Sequence, residues 1–258
     1  MNEGNKLSLY VITKNSENTL EACLKSVQGL ADEIIVVDSF STDKTLEIAQ
    51  KYGAKTFQRP FKGFQDQKQF ALDQCTSEYI LSLDDDEALT PELKEELKQT
   101  INKPQKHSIF LLPERVTFLG RQMKFSGLTG NLNERFGKRK DVYYTGGIVH
   151  EKLVSKGTKG RLKSYYLHTP YTSLEQYFDK YNKYTTMGAK KLYDEKKKFR
   201  YFNFFRQPVD FLKIYIFRLA ILDSWQGFLW AWLSSTYPTV KYAKLWYLYF
   251  QDRKKSGK

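Results

Sequence analysis

Cysteine is scarce. Cys23 and Cys75 are the only two in 258 residues, too few for a disulfide framework. Both fall in segments of helical pattern, as two free thiols in a reducing compartment would. Histidine is almost as rare, with only His107, His150 and His168, so any imidazole chemistry must come from these three. Long apolar runs are missing too. In the aromatic C-terminal region the longest stretch without charge, 224–240, has 17 residues and contains Ser, Gln, Thr and Pro238, which is too short and polar for a membrane-crossing helix. The start, Met1-Asn2-Glu3-Gly4-Asn5-Lys6, carries no signal-peptide pattern, so a cytoplasmic location is expected.

Acidic residues are in deficit, with 29 Asp and Glu against 42 Lys and Arg. The imbalance is local: residues 176–258 hold 17 basic and six acidic side chains. Such a tail is attracted to phosphates, on nucleic acid or on an anionic membrane. The same region is rich in rings, since residues 199–250 carry 18 of the 40 aromatics, including all four Trp. Aromatics interleaved with Arg206, Lys213, Arg218, Lys241 and Lys244 fit amphipathic helices lying in a membrane interface. An ordinary helical subdomain that packs its rings inward is the other reading.

The N-terminal part alternates short β-rich runs with helical patterns. A strand over 7–12 leads to a helix over 16–28 behind Asn15 or Ser16 as cap. A second strand over 34–37 ends at Asp38, and Ser41 can cap a helix over 42–52 that Gly53 stops. A helix over 64–74 leads to a strand over 79–83, and Thr90-Pro91 opens another helix. This order predicts a parallel sheet flanked by helices, in the manner of a Rossmann-like α/β fold. Ligands of such sheets bind at the carboxyl ends of the strands, where Thr13, Asp38 and Asp84 all fall. Residues 106–175 read as shorter strands and Gly-containing turns, a more antiparallel half able to carry acceptor-binding groups, and 176–258 as the basic aromatic helical region.

The run Leu83-Asp84-Asp85-Asp86-Glu87 places four carboxylates at one strand end, where mutual repulsion calls for a positive partner. A divalent cation that completes its shell with substrate phosphates would serve. Three segments, Leu9-Tyr10-Val11-Ile12-Thr13-Lys14-Asn15, Val36-Val37-Asp38-Ser39 with Ser41-Thr42-Asp43, and Leu81-Ser82-Leu83-Asp84-Asp85-Asp86-Glu87, resemble in order the signatures of glycosyltransferase family 2. Glu134-Arg135-Phe136, Val149-His150-Glu151, Gly160-Arg161-Leu162-Lys163, Leu167-His168 and Tyr242-Ala243-Lys244-Leu245-Trp246 extend the likeness over nearly the whole chain. They are similar to the branch of bacterial lipopolysaccharide inner-core glucosyltransferases.

That resemblance implies a GT-A fold over 1–175, with a nucleotide-binding half at 1–105, and an inverting transfer of a hexose from a UDP-sugar. It implies an acceptor on a membrane-borne glycan and a divalent metal, Mn²⁺ or Mg²⁺. By position, Thr13, Asn15 and Asp38 match residues that hold the nucleoside, Asp38 accepting from the uracil N–H. Lys68 lies where a basic or amide residue approaches the base or diphosphate, although a solvated helix charge reads equally well. Asp84 is directed toward the ribose and Asp86 toward the metal, while Asp85 occupies a place that is usually small or apolar.

Inverting displacement needs a base for the acceptor proton. The resemblance makes Glu151 that base, with a salt bridge to Arg135 or Arg161 as the plainer role. His150 either orients Glu151 or touches the donor phosphate. His168 matches a late His that completes the metal shell, or else is a buried imidazole on a backbone carbonyl. His107 reads as a surface residue. The expected partners are a UDP-sugar, a glycolipid or lipopolysaccharide-core acceptor and the anionic inner face of the cytoplasmic membrane, without nucleic acid. Two other classes are weighed. A nucleic-acid binder using the basic tail leaves the acid run unexplained, and a nucleotidyltransferase lacks its Gly-rich loop, because Thr13-Lys14-Asn15 stands there instead.

Overall fold

The computed structural model describes residues 6–146, 151–198 and 201–255. The chain divides into two compact units, one made of Met1–Val116 with Gly130–Pro170 and the other of Thr117–Thr129 with Tyr171–Lys258.

In the first unit the order is β1 (Leu7–Thr13), α1 (Leu20–Ser26), β2 (Glu33–Asp38), α2 (Thr45–Lys51), β3 (Lys55–Gln58), α3 (Phe64–Gln74), β4 (Tyr79–Ser82), β5 (Glu87–Leu89) and α4 (Pro91–Ile101). Next come β6 (Ile109–Phe118), β7 (Arg121–Gln122), β8 (Thr129–Lys138), β9 (Val142–Gly146), β10 (Glu151–Ser155), β11 (Lys159–Arg161) and β12 (Tyr166–Tyr171); of these, β7 and the end of β6 fall within 117–129. The main sheet runs β3-β2-β1-β4-β8-β6-β12-β5. Its β3-β2-β1-β4 part is parallel, with Thr13 beside Asp38 and Tyr10 beside Ser82. Beyond β4 the pairing turns antiparallel at β8 against β4 and at β12 against β5, while β11 runs parallel to β6. The sheet is therefore mixed: the α/β architecture expected from the sequence is present, and its continuous parallel portion is β3-β2-β1-β4.

Alternation along β1 explains the layers. Leu7, Leu9 and Val11 join Leu20, Leu24, Leu93 and Leu97 in one buried cluster. Tyr10 turns the other way, with Ile35, Val37 and Ile80, onto Ala71 and Leu72 of α3 and Cys75 just past its end. Successive strand residues point to opposite faces, so a strand buried on both sides leaves its chemistry to its carboxyl end. Both thiols are buried, and burial pushes Cys75 up to about 12, which leaves it inert at neutral pH.

Two helices begin later than their polar residues predict. Ser16 would cap α1, but its Oγ accepts from Lys14 N and its own N–H donates to Thr45 Oγ1, 2.7 Å away. Ser41 would cap α2, yet its backbone N–H donates to Asp38 at 2.8 Å. Asn15 Oδ1 receives Thr42 N at 2.9 Å. These side chains cross-link the loops after β1 and β2, and the helices start only at Leu20 and Thr45. Thr90, by contrast, caps α4 as expected, accepting from Leu93 N with Pro91 at the first helical position.

The second unit contains α5 (Leu174–Asp194), α6 (Phe202–Phe205), α7 (Gln207–Leu212) and α8 (Ser224–Lys255), the last 32 residues long with Pro238 inside. Phe118 and Met123 of the segment 117–129 bury with Tyr177 and Leu233, which is why that segment belongs here and not with its neighbours in sequence. Lys244, from the motif Tyr242–Trp246, ties α8 to α5 through Asn182, Thr185 and Thr186 at 2.7–3.0 Å. No helix among the described residues is long and apolar enough to cross a membrane.

Candidate active site

The carboxyl ends of β1 and β2 bring Thr13, Asn15 and Asp38 together. Asp38 is fully buried and receives four donors: Thr13 Oγ1 at 3.1 Å, Ser41 N and Oγ, and Gln58 Nε2 at 3.2 Å. The carboxylate thus organises the turn after β2. Within that turn Phe40 takes a positive φ of 59°, an uncommon conformation for a bulky residue, and Lys14 Nζ clasps the carbonyls of Ser39 and Phe40. Buried Gln67 donates to Ser39 Oγ at 3.1 Å while its Oε1 has no protein partner.

A second group forms where β4 ends. Lys68, on α3 and only 5% exposed, places Nζ 2.8 Å from Asp84 Oδ1 and 2.9 Å from Glu151 Oε1. Arg135, at the inward register of β8, reaches Asp84 Oδ2 at 2.8 Å and also grips Glu87. Glu87 in turn accepts from Asp84 N at 2.9 Å. Here is the positive charge that the acidic run demanded. Burial alone would lift Asp84, but Arg135 and Lys68 hold it far below the usual carboxylate range. Burial would likewise lower Lys68, and Asp84 reverses that, so the ammonium is retained. Burial and the neighbouring Asp84 push Glu87 up to about 8 despite Arg135. Lys68, Asp84, Arg135, Tyr144 and Glu151 line a cleft of about 490 Å³. Beneath it, Tyr144 joins Tyr10 and Ser82 through hydroxyl contacts of 2.8 and 2.9 Å.

The third group lies on β12, where His168 pairs in register with Glu87. Its Nδ1 stands 2.5 Å from Glu114 Oε1, and its Nε2 is 3.5 Å from Asp86 Oδ1. Burial opposes a charged imidazole, but the bonds to Asp86 and Glu114 overcome it and push His168 up to about 10. Ligand atoms of Glu87, Glu114 and His168 lie within 4.8 Å of one another. Glu87 is already committed to Arg135, and Glu114 to His168 and to Asn131 at 3.0 Å. Asp86 Oδ1 and His168 Nε2 face each other across 3.5 Å, and they could both serve a divalent ion once the imidazole gives up its proton, the oxygen being the better match to Mn²⁺. Glu114 on the other ring nitrogen is the outer carboxylate that metal-binding imidazoles commonly have.

Thr13, Asn15 and Asp38 thus form one group, Lys68, Asp84 and Glu151 a second, and Asp86 and His168 a third. His150 lies outside the described residues. The partner of Glu151 is Lys68, not Arg135 or Arg161, because α3 turns Lys68 inward instead of leaving it solvated. His168 bonds carboxylates and not a backbone carbonyl. His107, expected at the surface, is half-buried, 3.1 Å from Thr158 Oγ1 and edge-on to the Phe110 ring. The sequence offered Arg135 only as a partner for Glu151 and Glu87 only as a member of the acidic run, and Glu114 had no role. Their signal was a charged residue at an inward-facing position of a strand.

A mixed α/β sheet with an acid cluster and buried cations at the ends of its parallel strands is the architecture of a GT-A glycosyltransferase. The chain belongs to glycosyl transferase family 2, whose model matches residues 8–197. It is 29% identical over 260 residues to an uncharacterized glycosyltransferase of Rickettsia typhi, covering 96% of this chain and 89% of that one. Over 248 residues it is 29% identical to the lipopolysaccharide core biosynthesis glycosyltransferase LpsC of Rhizobium meliloti, covering 93% and 92%. Among solved structures, S. aureus TarS 1–349 in complex with UDP-GlcNAc aligns over 98% of this chain and 92% of that one, at a TM-score of 0.51 and 19% identity, a likeness of fold.

Proposed function

We propose that this glycosyltransferase moves a hexose, glucose in the first instance, from a UDP-sugar to a membrane-borne glycan of the lipopolysaccharide-core type, with inversion at the anomeric carbon. The observation that carries this reading is the Lys68 bridge between Asp84 and Glu151 in the cleft. It supports a reading in which Asp84 serves the donor and Glu151 the acceptor, on either side of one fixed cation. The relationship to LpsC supports the acceptor class.

In this scheme Thr13, Asn15 and Asp38 shape the nucleoside end, and Asp84 faces the ribose. Asp86 and His168, its imidazole deprotonated, would hold Mn²⁺ or Mg²⁺, which would supply positive charge toward the diphosphate. Glu151 takes the proton from the acceptor hydroxyl as its oxygen bonds to the anomeric carbon. The bond from that carbon to the diphosphate oxygen breaks, and UDP leaves with its electron pair. Lys68 keeps the Glu151 carboxylate aimed into the cleft. Orientation of this kind is a large part of what an enzyme supplies. The basic C-terminal unit keeps the protein at the cytoplasmic face of the membrane where such acceptors are presented.

Calorimetric titration of UDP with Mn²⁺, with EDTA and with the Asp86→Ala variant tests the reading. Metal-dependent binding that the variant loses is expected. A protein that binds no UDP under any of these conditions would not be a UDP-sugar transferase.

A further inference from the structure

We infer that the segment 201–225 of the second unit is the lipid-contacting surface, and that its partner is an anionic bilayer. The inference rests on the proposed membrane-borne acceptor for its purpose, but on the segment's own chemistry for its evidence. Phe202, Phe205, Val209, Phe217, Leu222 and Trp225 are each more than half exposed. A water-soluble surface carries single apolar side chains without difficulty, whereas six large ones exposed within 25 residues of chain point to an interaction site.

The exposure is not a shortage of core. Phe211, Tyr215, Phe228 and Trp232 of the same region pack on one another, with ring centroids 5.2–6.5 Å apart. Thus α7 and the turn after it are apolar inward and apolar outward as well. A helical segment that is hydrophobic on both faces belongs in a core or in a membrane. The segment is broken into short pieces, with Leu219 and Ser224 at φ of 57° and 62°, so it can lie along a surface but cannot span one.

Charge selects the partner. Lys196, Lys197 and Lys198 are exposed just before the segment, and Lys213 and Arg218 are exposed within it. Of its two acids, Asp223 is buried and Asp210 is paired with Arg206 at 2.7 Å. Rings and aliphatic side chains flanked by lysines match the boundary between acyl chains and anionic headgroups. A second copy of this chain would bring the same excess, 17 basic against six acidic residues over 176–258, face to face with its own. Nucleic acid would be stacked by rings, but Val209, Leu222 and their like have no base to stack on.

The test is co-sedimentation of the full chain with phosphatidylcholine vesicles, with and without about one-third phosphatidylglycerol. Wild-type protein should pellet with the anionic vesicles and far less with neutral ones. Phe205→Ser, Phe217→Ser and Trp225→Ser combined should weaken that binding roughly tenfold or more. Lys196→Glu, Lys197→Glu and Lys198→Glu, at exposed sites that bear no structural load, should weaken binding to anionic vesicles alone. They keep the test decisive if the serine variant misfolds. UDP calorimetry on the same samples reads the transferase proposal separately, so its failure is distinguishable. Wild-type protein that ignores both vesicle types, variants that bind as wild type, or a concentration-dependent dimer that the serine changes disperse would overturn the inference.

Discussion

Lys68 and Glu151 meet as an ion pair, Nζ to Oε1 at 2.9 Å, between a helix and a hairpin strand 83 residues apart in sequence. The same ammonium holds Asp84, so one cation bridges two carboxylates in the cleft. Glu151→Gln keeps the size and one acceptor oxygen but removes the proposed base. Transfer should fall by about 10²–10⁴, while metal-dependent UDP binding persists. Single-turnover assays beside UDP calorimetry separate the two, and equal loss in both would mean that Glu151 binds nucleotide instead.

Arg135 compensates two buried acids at once. Arg135→Gln would leave Asp84 and Glu87 facing each other without their common cation, and breaking a buried pair costs about 3–5 kcal/mol. Adding Glu87→Gln should cost little more, because the Glu87 carboxyl, already pushed up to about 8 beside Arg135, keeps its proton once the guanidinium is gone. Urea unfolding of wild type, both single variants and the double variant measures the coupling. Strict additivity would show that the two residues act independently.

Much of this was legible in the sequence because strand ends carry the chemistry. The runs ending at Thr13, Asp38 and Asp84 are apolar and short, and the residues after each are polar, so the crevice could be located without coordinates. Side-chain direction was harder. Ser16, Asn15 and Ser41 read as helix caps, yet they bind across loops, since a hydroxyl or amide serves either purpose equally well. Lys68 occupies a helix position that pattern alone could not turn inward. Arg135 and Glu114 sit on strands of the antiparallel half, whose register depends on partners remote in sequence. The exposed rings of the C-terminal unit were expected somewhere in 199–250. Only packing separates rings turned onto one another, such as Phe211 and Phe228, from rings left outside, such as Phe205 and Phe217.

Glu33 ties three segments at the amino end of the sheet, accepting from Ser8, from Lys55 at 2.8 Å and from Thr76 N at 2.8 Å. Its burial would raise the carboxyl, but those donors outweigh it and bring it down to about 2. A depressed folded-state value stabilises the protein above the unfolded carboxyl value of about 4.5 and loses that stabilisation as pH falls toward 2. Glu33→Gln should therefore cost about 1 kcal/mol at neutral pH, after allowing for solvent screening, and flatten the stability profile over this acid window. Thermal melts across pH 2–7 would show it, and parallel profiles for both proteins would remove Glu33 from the account of acid unfolding.

Asp223 pins the segment 117–129 within the second unit, accepting from Lys124 N, Phe125 N and Ser126 Oγ, each at 2.9 Å. It is 1% exposed, so truncation would strand two backbone donors away from water. Asp223→Ala should cost roughly 2–4 kcal/mol. Asp223→Asn, which keeps one acceptor oxygen, should cost less. Close by, a Cβ on Gly227 would stand 1.9 Å from the carbonyl oxygen of Ala220, and backbone cannot yield as a flexible side chain does. Gly227→Ala should therefore damage the same unit by displacing the start of α8. Limited proteolysis reads both changes. Cleavage within 117–129 and near 220–227 should accelerate in the order Asn, then Ala at 223, with Gly227→Ala comparable to the latter. Unchanged protection in Asp223→Ala would mean that packing of Phe118 and Met123 holds the segment without the carboxylate.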